Sequence, residues 1–143
     1  MSACLGCEGV LPFLEEASRH GKGIFILVKI SNRGSGELQD LQSGGKRIYE
    51  RMAELVVRWG QGLIVERGIS SVGAVVGATY SQEAAAFRQA MPHTLFLVHS
   101  ARQVIFAYRR GPDEDFAAAA CAAVLAMREE LEGSLRRANH WPW

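Results

Sequence analysis

The chain has 143 residues, 48% hydrophobic and 22% charged, with a formal net charge of +1. That length and balance fit one globular domain with a sizeable core. A near-neutral charge with no run of five basic residues removes any electrostatic case for a nucleic acid or an anionic membrane as partner.

Residues 1–4, Met1-Ser2-Ala3-Cys4, lack the basic stretch of a secretory leader, and Glu8 precedes any long apolar run. A helix is expected next. Pro12 suits its first turn, Leu11, Leu14 and Ala17 share one face, and Gly21 stops it. Residues 23–30 are almost continuously apolar and rich in branched side chains, as a strand buried on both faces should be. This stretch is too short to cross a bilayer and contains Lys29. Residues 31–45 read as a polar, glycine-rich loop. A helix over 47–60 follows, with Ile48, Met52, Leu55, Val56 and Trp59 as its apolar stripe.

Residues 63–65 fit a short strand or a turn, and residues 72–78 a second clear strand. Ser81 is placed to cap a helix ending near Ala90, with Ala84 and Phe87 turned inward. Residues 94–98 form a third strand, and 103–108 another apolar run. A long helix is expected after Pro112, with Phe116, Ala120, Val124, Met127, Leu131 and Leu135 on one side. Residues 140–143 read as a loose tail.

Strand–helix alternation predicts an α/β fold with parallel strands and outer helices. One link breaks the pattern. Only residues 99–102 separate the third strand from the apolar run at 103–108. A parallel crossover needs about ten residues or more. Either that run is not a strand, or a helix-bearing unit is missing there.

Several familiar motifs fail. Gly45-Lys46 is followed by Arg47, and Asp40 stands where a phosphate-cradling loop begins with glycine. Gly34-Ser35-Gly36 lacks the third glycine of a dinucleotide fingerprint. Ser70 and Ser71 lack nucleophile-elbow spacing. Cys4 and Cys7 have C-x-x-C spacing without a second pair, and His20, His93, His99 and His140 form no pair at short spacing. No metal site is expected, and the reading is of reduced thiols in the cytoplasm.

What remains is a set of polar residues just past strand ends: Ser31-Asn32, Thr79-Tyr80 and His99-Ser100-Ala101-Arg102. In parallel barrels, ligand chemistry sits at the carboxyl ends of the strands. An arginine there can grip a phosphate as a fork. Ser, Asn and Thr also close turns and cap helices everywhere, so ordinary turn chemistry is the competing account.

At these residues the chain resembles orotidine 5′-phosphate decarboxylases, in their bacterial, mycobacterial-type branch. Residues 21–32, Gly-Lys-Gly-Ile-Phe-Ile-Leu-Val-Lys-Ile-Ser-Asn, resemble the fifth strand and its loop. Residues 70–80 resemble the sixth strand, 91–98 the seventh, and 100–108 the segment after the eighth. The resemblance runs from about Cys4 to Arg137. It implies roughly the C-terminal half of a (β/α)8 barrel, residues 1–137, with 138–143 as a tail.

The resemblance further implies decarboxylation of orotidine 5′-phosphate to uridine 5′-phosphate in pyrimidine synthesis, with no metal or organic cofactor. The implied partners are a nucleotide and a second subunit or a complementing N-terminal half. By position, Ser31 resembles the residue that hydrogen-bonds the pyrimidine, and Arg102 the one that binds the 5′-phosphate. Ala78 and Thr79 would line the pocket. The family's Asp-x-Lys-x-x-Asp catalytic motif is absent from this chain. So are the glycine-rich phosphate loop, its following helix and the eighth strand, which would fall between Val98 and His99. Arg33 stands where the family has proline. A complete barrel takes roughly 250 residues, so an open sheet is expected. Lys29, placed by strand alternation on the same side as Ser31, is the one lysine that could approach the barrel mouth.

Overall fold

A computed structural model describes residues 1–110 and 115–138. In chain order the elements are α1 (Gly6–Arg19), β1 (Ile24–Lys29), α2 (Gly36–Gln39), β2 (Gln42–Ser43), β3 (Lys46–Arg47) and α3 (Ile48–Gly60). These are followed by β4 (Val72–Gly77), α4 (Ala84–Ala90), β5 (Phe96–His99), α5 (Arg102–Ile105) and α6 (Phe116–Arg137). Pro112 and the expected tail at 140–143 lie outside the described residues.

The sheet has three parallel strands in the order β1-β4-β5. Ile24 stands opposite Val72, and Ala74 opposite Phe96. Met1 and Ser2 add a scrap of parallel pairing along the outer edge of β1, where the Leu27 N–H donates to the Met1 carbonyl at 2.7 Å. Helices α1 and α3 cover one face. Val10 and Leu14 of α1 and Met52, Ala53 and Val56 of α3 pack on Ile26, Val28, Val72 and Ala74 in a single core. Each such aliphatic side chain taken out of water contributes about 1.5–3 kcal/mol.

Two details of α1 differ from the sequence reading. It starts at Gly6, so Pro12 lies inside it. There the proline ring removes the N–H that would bond the Glu8 carbonyl. Its inward face is Val10 and Leu14, while Leu11 is exposed. Gly21, at φ 59°, ends the helix as expected.

Strand β1 is not buried on both faces. Ile26 and Val28 are fully covered, whereas Phe25 and Leu27 face the side that no layer of the described residues covers. Leu95 and Leu97 at β5 share that open side. The alternation of a parallel strand turns every second residue toward the interior of a barrel, and these three strands are too few to enclose one.

The stretch read as one loop over 31–45 contains the short helix α2 and the first strand and turn of the hairpin β2–β3. Gly44 and Gly45, at φ 59° and 77°, supply the turn. Two consecutive positive-φ residues suit a two-residue hairpin connection. Residues 63–65 form no regular strand: Leu63 ends a 3-10 turn, Ile64 makes an isolated antiparallel bridge with Ser70, and the Val65 N–H donates to the Ile69 carbonyl at 3.0 Å.

Past β4 the chain enters a 3-10 turn, Ala78–Glu83, before α4. Ser81 therefore caps nothing; its hydroxyl donates to Glu130 of α6 at 3.3 Å. After β5 only residues 100–101 intervene before α5. The apolar run at 103–108 is helical and continues as a 3-10 turn, Ala107–Arg110. The over-short crossover disappears, because no strand follows β5 among the described residues.

Helix α6 begins at Phe116, where the Asp115 carboxylate accepts from the Ala117 and Ala118 N–H groups at 3.0 Å. Its C-terminal half packs Leu131 and Leu135 near Phe87 and Val98. Phe116 and Val124, expected inward, are exposed.

Candidate functional site

The carboxyl end of β1 is held by side chains of the segment that follows it. The Gln39 carboxamide donates to the Val28 carbonyl and accepts from the Ile30 N–H, each at 3.0 Å. It occupies the place of a neighbouring strand's peptide group. The Ser35 hydroxyl donates to the Ile30 carbonyl at 3.0 Å. These bonds fix the backbone that carries Ser31. On its other side Ser31 lies against Gly77 of β4. A Cβ on Gly77 would stand 2.9 Å from the Ser31 N and Cβ, closer than real contacts allow. Glycine is therefore what lets Ser31 settle at the end of the sheet. Gly77 is in turn registered with His99 on β5.

This arrangement gathers Ser31, Asn32, His99, Arg102, Arg109 and Arg110 around one cavity of about 420 Å³ at the carboxyl end of the sheet. Ser31 and Arg102, picked from the sequence as substrate-binding residues, thus meet on one wall. The backbone of Thr79 lies in the turn directly after β4, two residues beyond Gly77. Its side chain is not among those described.

Arg109 and Arg110 were missed. Arg109 stacks with its guanidinium carbon 4.5 Å above the Phe106 ring centre, and its Nε donates to the Tyr108 hydroxyl at 3.2 Å. The signal in the sequence is the seven-residue step from Arg102 to Arg109, two helical turns, across an otherwise apolar run.

Lys29 lies elsewhere. Between Leu27 and Lys29 the register slips, so that Leu27 faces Val75 and Lys29 faces Val76. Such a bulge cancels the alternation that would have aimed Lys29 with Ser31. Its side chain enters the helical layer, 1% exposed, ion-paired to Asp40 and 4.5 Å above the centre of the Tyr49 ring. No lysine lines the Ser31–Arg102 cavity among the described residues.

Near Lys29, burial holds the Glu83 carboxyl above the usual carboxylate range, more than Lys29 and Arg47 lower it, with Asp40 and Glu50 adding to the rise. Its Oε2 is buried without a hydrogen-bond partner among the described residues. Burial, then Glu83, raises the Tyr49 phenol as well. Glu83 and Tyr49 border a separate cleft of about 330 Å³ between α3 and α4. Among the described residues no cluster of three or more His, Cys, Asp or Glu could hold a metal ion.

The fold is α/β with parallel strands and outer helices, an open part of a barrel, and its strand ends carry a cation-lined pocket. Over most of its length the chain has orotidine 5′-phosphate decarboxylases as homologues at moderate identity. It is 33% identical to the enzyme of Caldicellulosiruptor bescii over 157 aligned positions, covering 92% of this chain and 52% of the relative. It is 38% identical to the enzyme of Rhodopirellula baltica, covering 84% of this chain and 47% of that one. It superposes on the orotidine monophosphate decarboxylase of Leishmania donovani with a TM-score of 0.59 at 27% identity, covering 91% of this chain and 55% of the other. The chain spans about half the length of the curated relatives it matches. No family model matches it.

Proposed function

We propose that this chain is the substrate-binding, C-terminal half of an orotidine 5′-phosphate decarboxylase of the bacterial, mycobacterial-type branch. The observation that carries the reading is the convergence of Ser31 and Arg102, 71 positions apart in sequence, on one cavity at the strand ends. In this reading residues 1–137 are the barrel segment. Arg102 takes the 5′-phosphate and Ser31 the pyrimidine, and Thr79 is a further substrate-binding position by resemblance. The strand, helix and phosphate loop missing after Val98 are a deletion. In support, the alignment to the Caldicellulosiruptor relative runs over 157 positions although the chain has only 143 residues, so that relative carries residues without counterparts here.

Decarboxylation leaves negative charge on a ring carbon, which calls for a fixed cation and an acid beside it. Within this chain the lysine nearest the site is committed to Asp40 and Tyr49 in the helical layer. The chemistry therefore belongs to a complementing N-terminal half, whose place is the open face bearing Phe25, Leu27, Leu95 and Leu97. The same observation favours a second reading of the chain on its own, a non-catalytic remnant that keeps a nucleotide-phosphate site or a subunit contact.

Calorimetric titration with uridine 5′-phosphate tests the site. Binding that weakens at least tenfold in Arg102→Ala supports it, since a charge-assisted hydrogen bond contributes about 1.5–3 kcal/mol. Equal affinity in the two proteins overturns it. Loss of orotate absorbance tests the division of labour. The chain alone is expected to show no turnover, and robust turnover would refute the need for a second half.

A further inference from the structure

Three arginines, Arg102, Arg109 and Arg110, line the Ser31 cavity, and no Asp or Glu does so among the described residues. The whole chain is nearly neutral, so this is a local excess of positive charge. None of the three arginines has an ion-pair partner among the described residues, whereas Arg19, Arg47, Arg51, Arg128 and Arg136 each face a glutamate. Asp113 and Glu114 follow in sequence outside the described residues. Arg109 is also held in place, stacked on Phe106 and bonded to the Tyr108 hydroxyl, so little side-chain freedom is lost when it meets an anion. A phosphate monoester carries about −1.5 to −2 at neutral pH and offers three terminal oxygens. The forked guanidinium of one arginine, Arg102, already offers several N–H donors to such a group. Two further guanidiniums beside it match a second, adjoining phosphoryl group.

We infer that the pocket has a second phosphoryl subsite built by Arg109 and Arg110, and that it takes a ligand with two linked phosphates in preference to a monophosphate. The inference rests on the reading of the pocket as a nucleotide site but adds a ligand class to it. Inorganic pyrophosphate and a nucleoside diphosphate share this chemistry, and Ser31 and Asn32 beside the arginines favour the form that carries a base and sugar.

The test is calorimetry of the full chain with uridine 5′-phosphate, uridine 5′-diphosphate and inorganic pyrophosphate at one ionic strength. The diphosphate is expected to bind at least tenfold more tightly than the monophosphate and more tightly than pyrophosphate. In Arg109→Ala/Arg110→Ala the ratio of diphosphate to monophosphate affinity should fall to near one, and Arg109→Lys/Arg110→Lys should restore it in part, because charge returns without the fork. A wild-type ratio near one overturns the subsite while leaving the monophosphate site standing. Diphosphate binding without monophosphate binding overturns the decarboxylase-type site and keeps the subsite. Pyrophosphate binding as tightly as the nucleotide assigns the subsite to free pyrophosphate. Absence of binding by all three overturns both readings. The wild-type ratio decides the matter even if the alanine variant fails to fold.

Discussion

On one side of the sheet Ile26, Val28, Val72 and Ala74 lie at 0% exposure beneath α1 and α3. On the other, Phe25 and Leu27 keep 36% of their surface in solvent, and Leu95 and Leu97 keep 49%. Both sets are apolar residues of one sheet, and in β1 they alternate one position apart. Burial here is thus a property of what covers a face and not of the residues that compose it. Helices α1 and α3, which flank β1 in sequence, supply the first cover. The second cover would be the rest of a barrel, which is long-range and not encoded in these strands.

The largest expected effect tests this contrast directly. Ile26→Ala should cost about 2–5 kcal/mol in urea denaturation, the usual loss for a large-to-small change in a closed core. Leu97→Ala should cost less than about 1 kcal/mol, within the range of surface changes. Leu97→Asp should leave the midpoint nearly unchanged and reduce self-association in sedimentation, because open apolar sheet faces recruit other chains. Equal costs for the two alanine changes would mean that the open face is covered in solution.

A pair of glycines on β4 sharpens the comparison at closer range. A Cβ at Gly77 would meet the Ser31 backbone, which is pinned by the bonds to Ile30. A Cβ at Gly73 would meet the Phe25 ring at 2.5 Å, on the open side where a ring can swing into solvent, and only one backbone atom, the Leu95 carbonyl oxygen, at the longer distance of 3.1 Å. Gly77→Ala should destabilise by about 1–3 kcal/mol, as overpacking against fixed atoms does. It should also weaken nucleotide binding by displacing Ser31. Gly73→Ala should cost less and leave binding unaltered. Thermal melts and calorimetry on the two variants check the order.

The smallest effect concerns the covered side. Because burial raises Glu83 above its unfolded range, the folded chain holds that proton longer than the unfolded chain does. Stability should therefore fall as pH rises from the ordinary carboxylate range through the folded value, where an ionised carboxylate must stay partly buried. Glu83→Gln should remove that slope and raise the melting temperature at neutral pH by a few degrees. A mutant and wild type with parallel profiles from pH 4 to pH 7 would contradict the assignment.

Strand positions and the parallel layout were legible because unbroken branched-residue runs and helical stripes are local signals. Arg102 could be picked as a site residue because its place after a strand end is a property of topology. What escaped depended on distant neighbours. The bulge that turns Lys29 away from Ser31 exists only in register with β4. The periodicity of α6 promised burial for Phe116 and Val124 without saying whether a partner layer was there. Ser81 had the chemistry of a cap, but a 3-10 turn sent it to Glu130 instead. Arg109 and Arg110 follow an apolar run in sequence, and it is the turn after α5 that brings them to the cavity beside Ser31.

The carboxamide of Gln39, with nitrogen toward the Val28 carbonyl and oxygen toward the Ile30 N–H, gives the end of β1 a selectivity that shape cannot provide. Glutamate has the same outline but carries two acceptors, so one oxygen would face the Val28 carbonyl lone pair to lone pair. The junction discriminates by hydrogens rather than by volume. A single slow deamidation at this position, invisible to packing, would reverse the polarity of one contact and loosen the segment that carries Ser31.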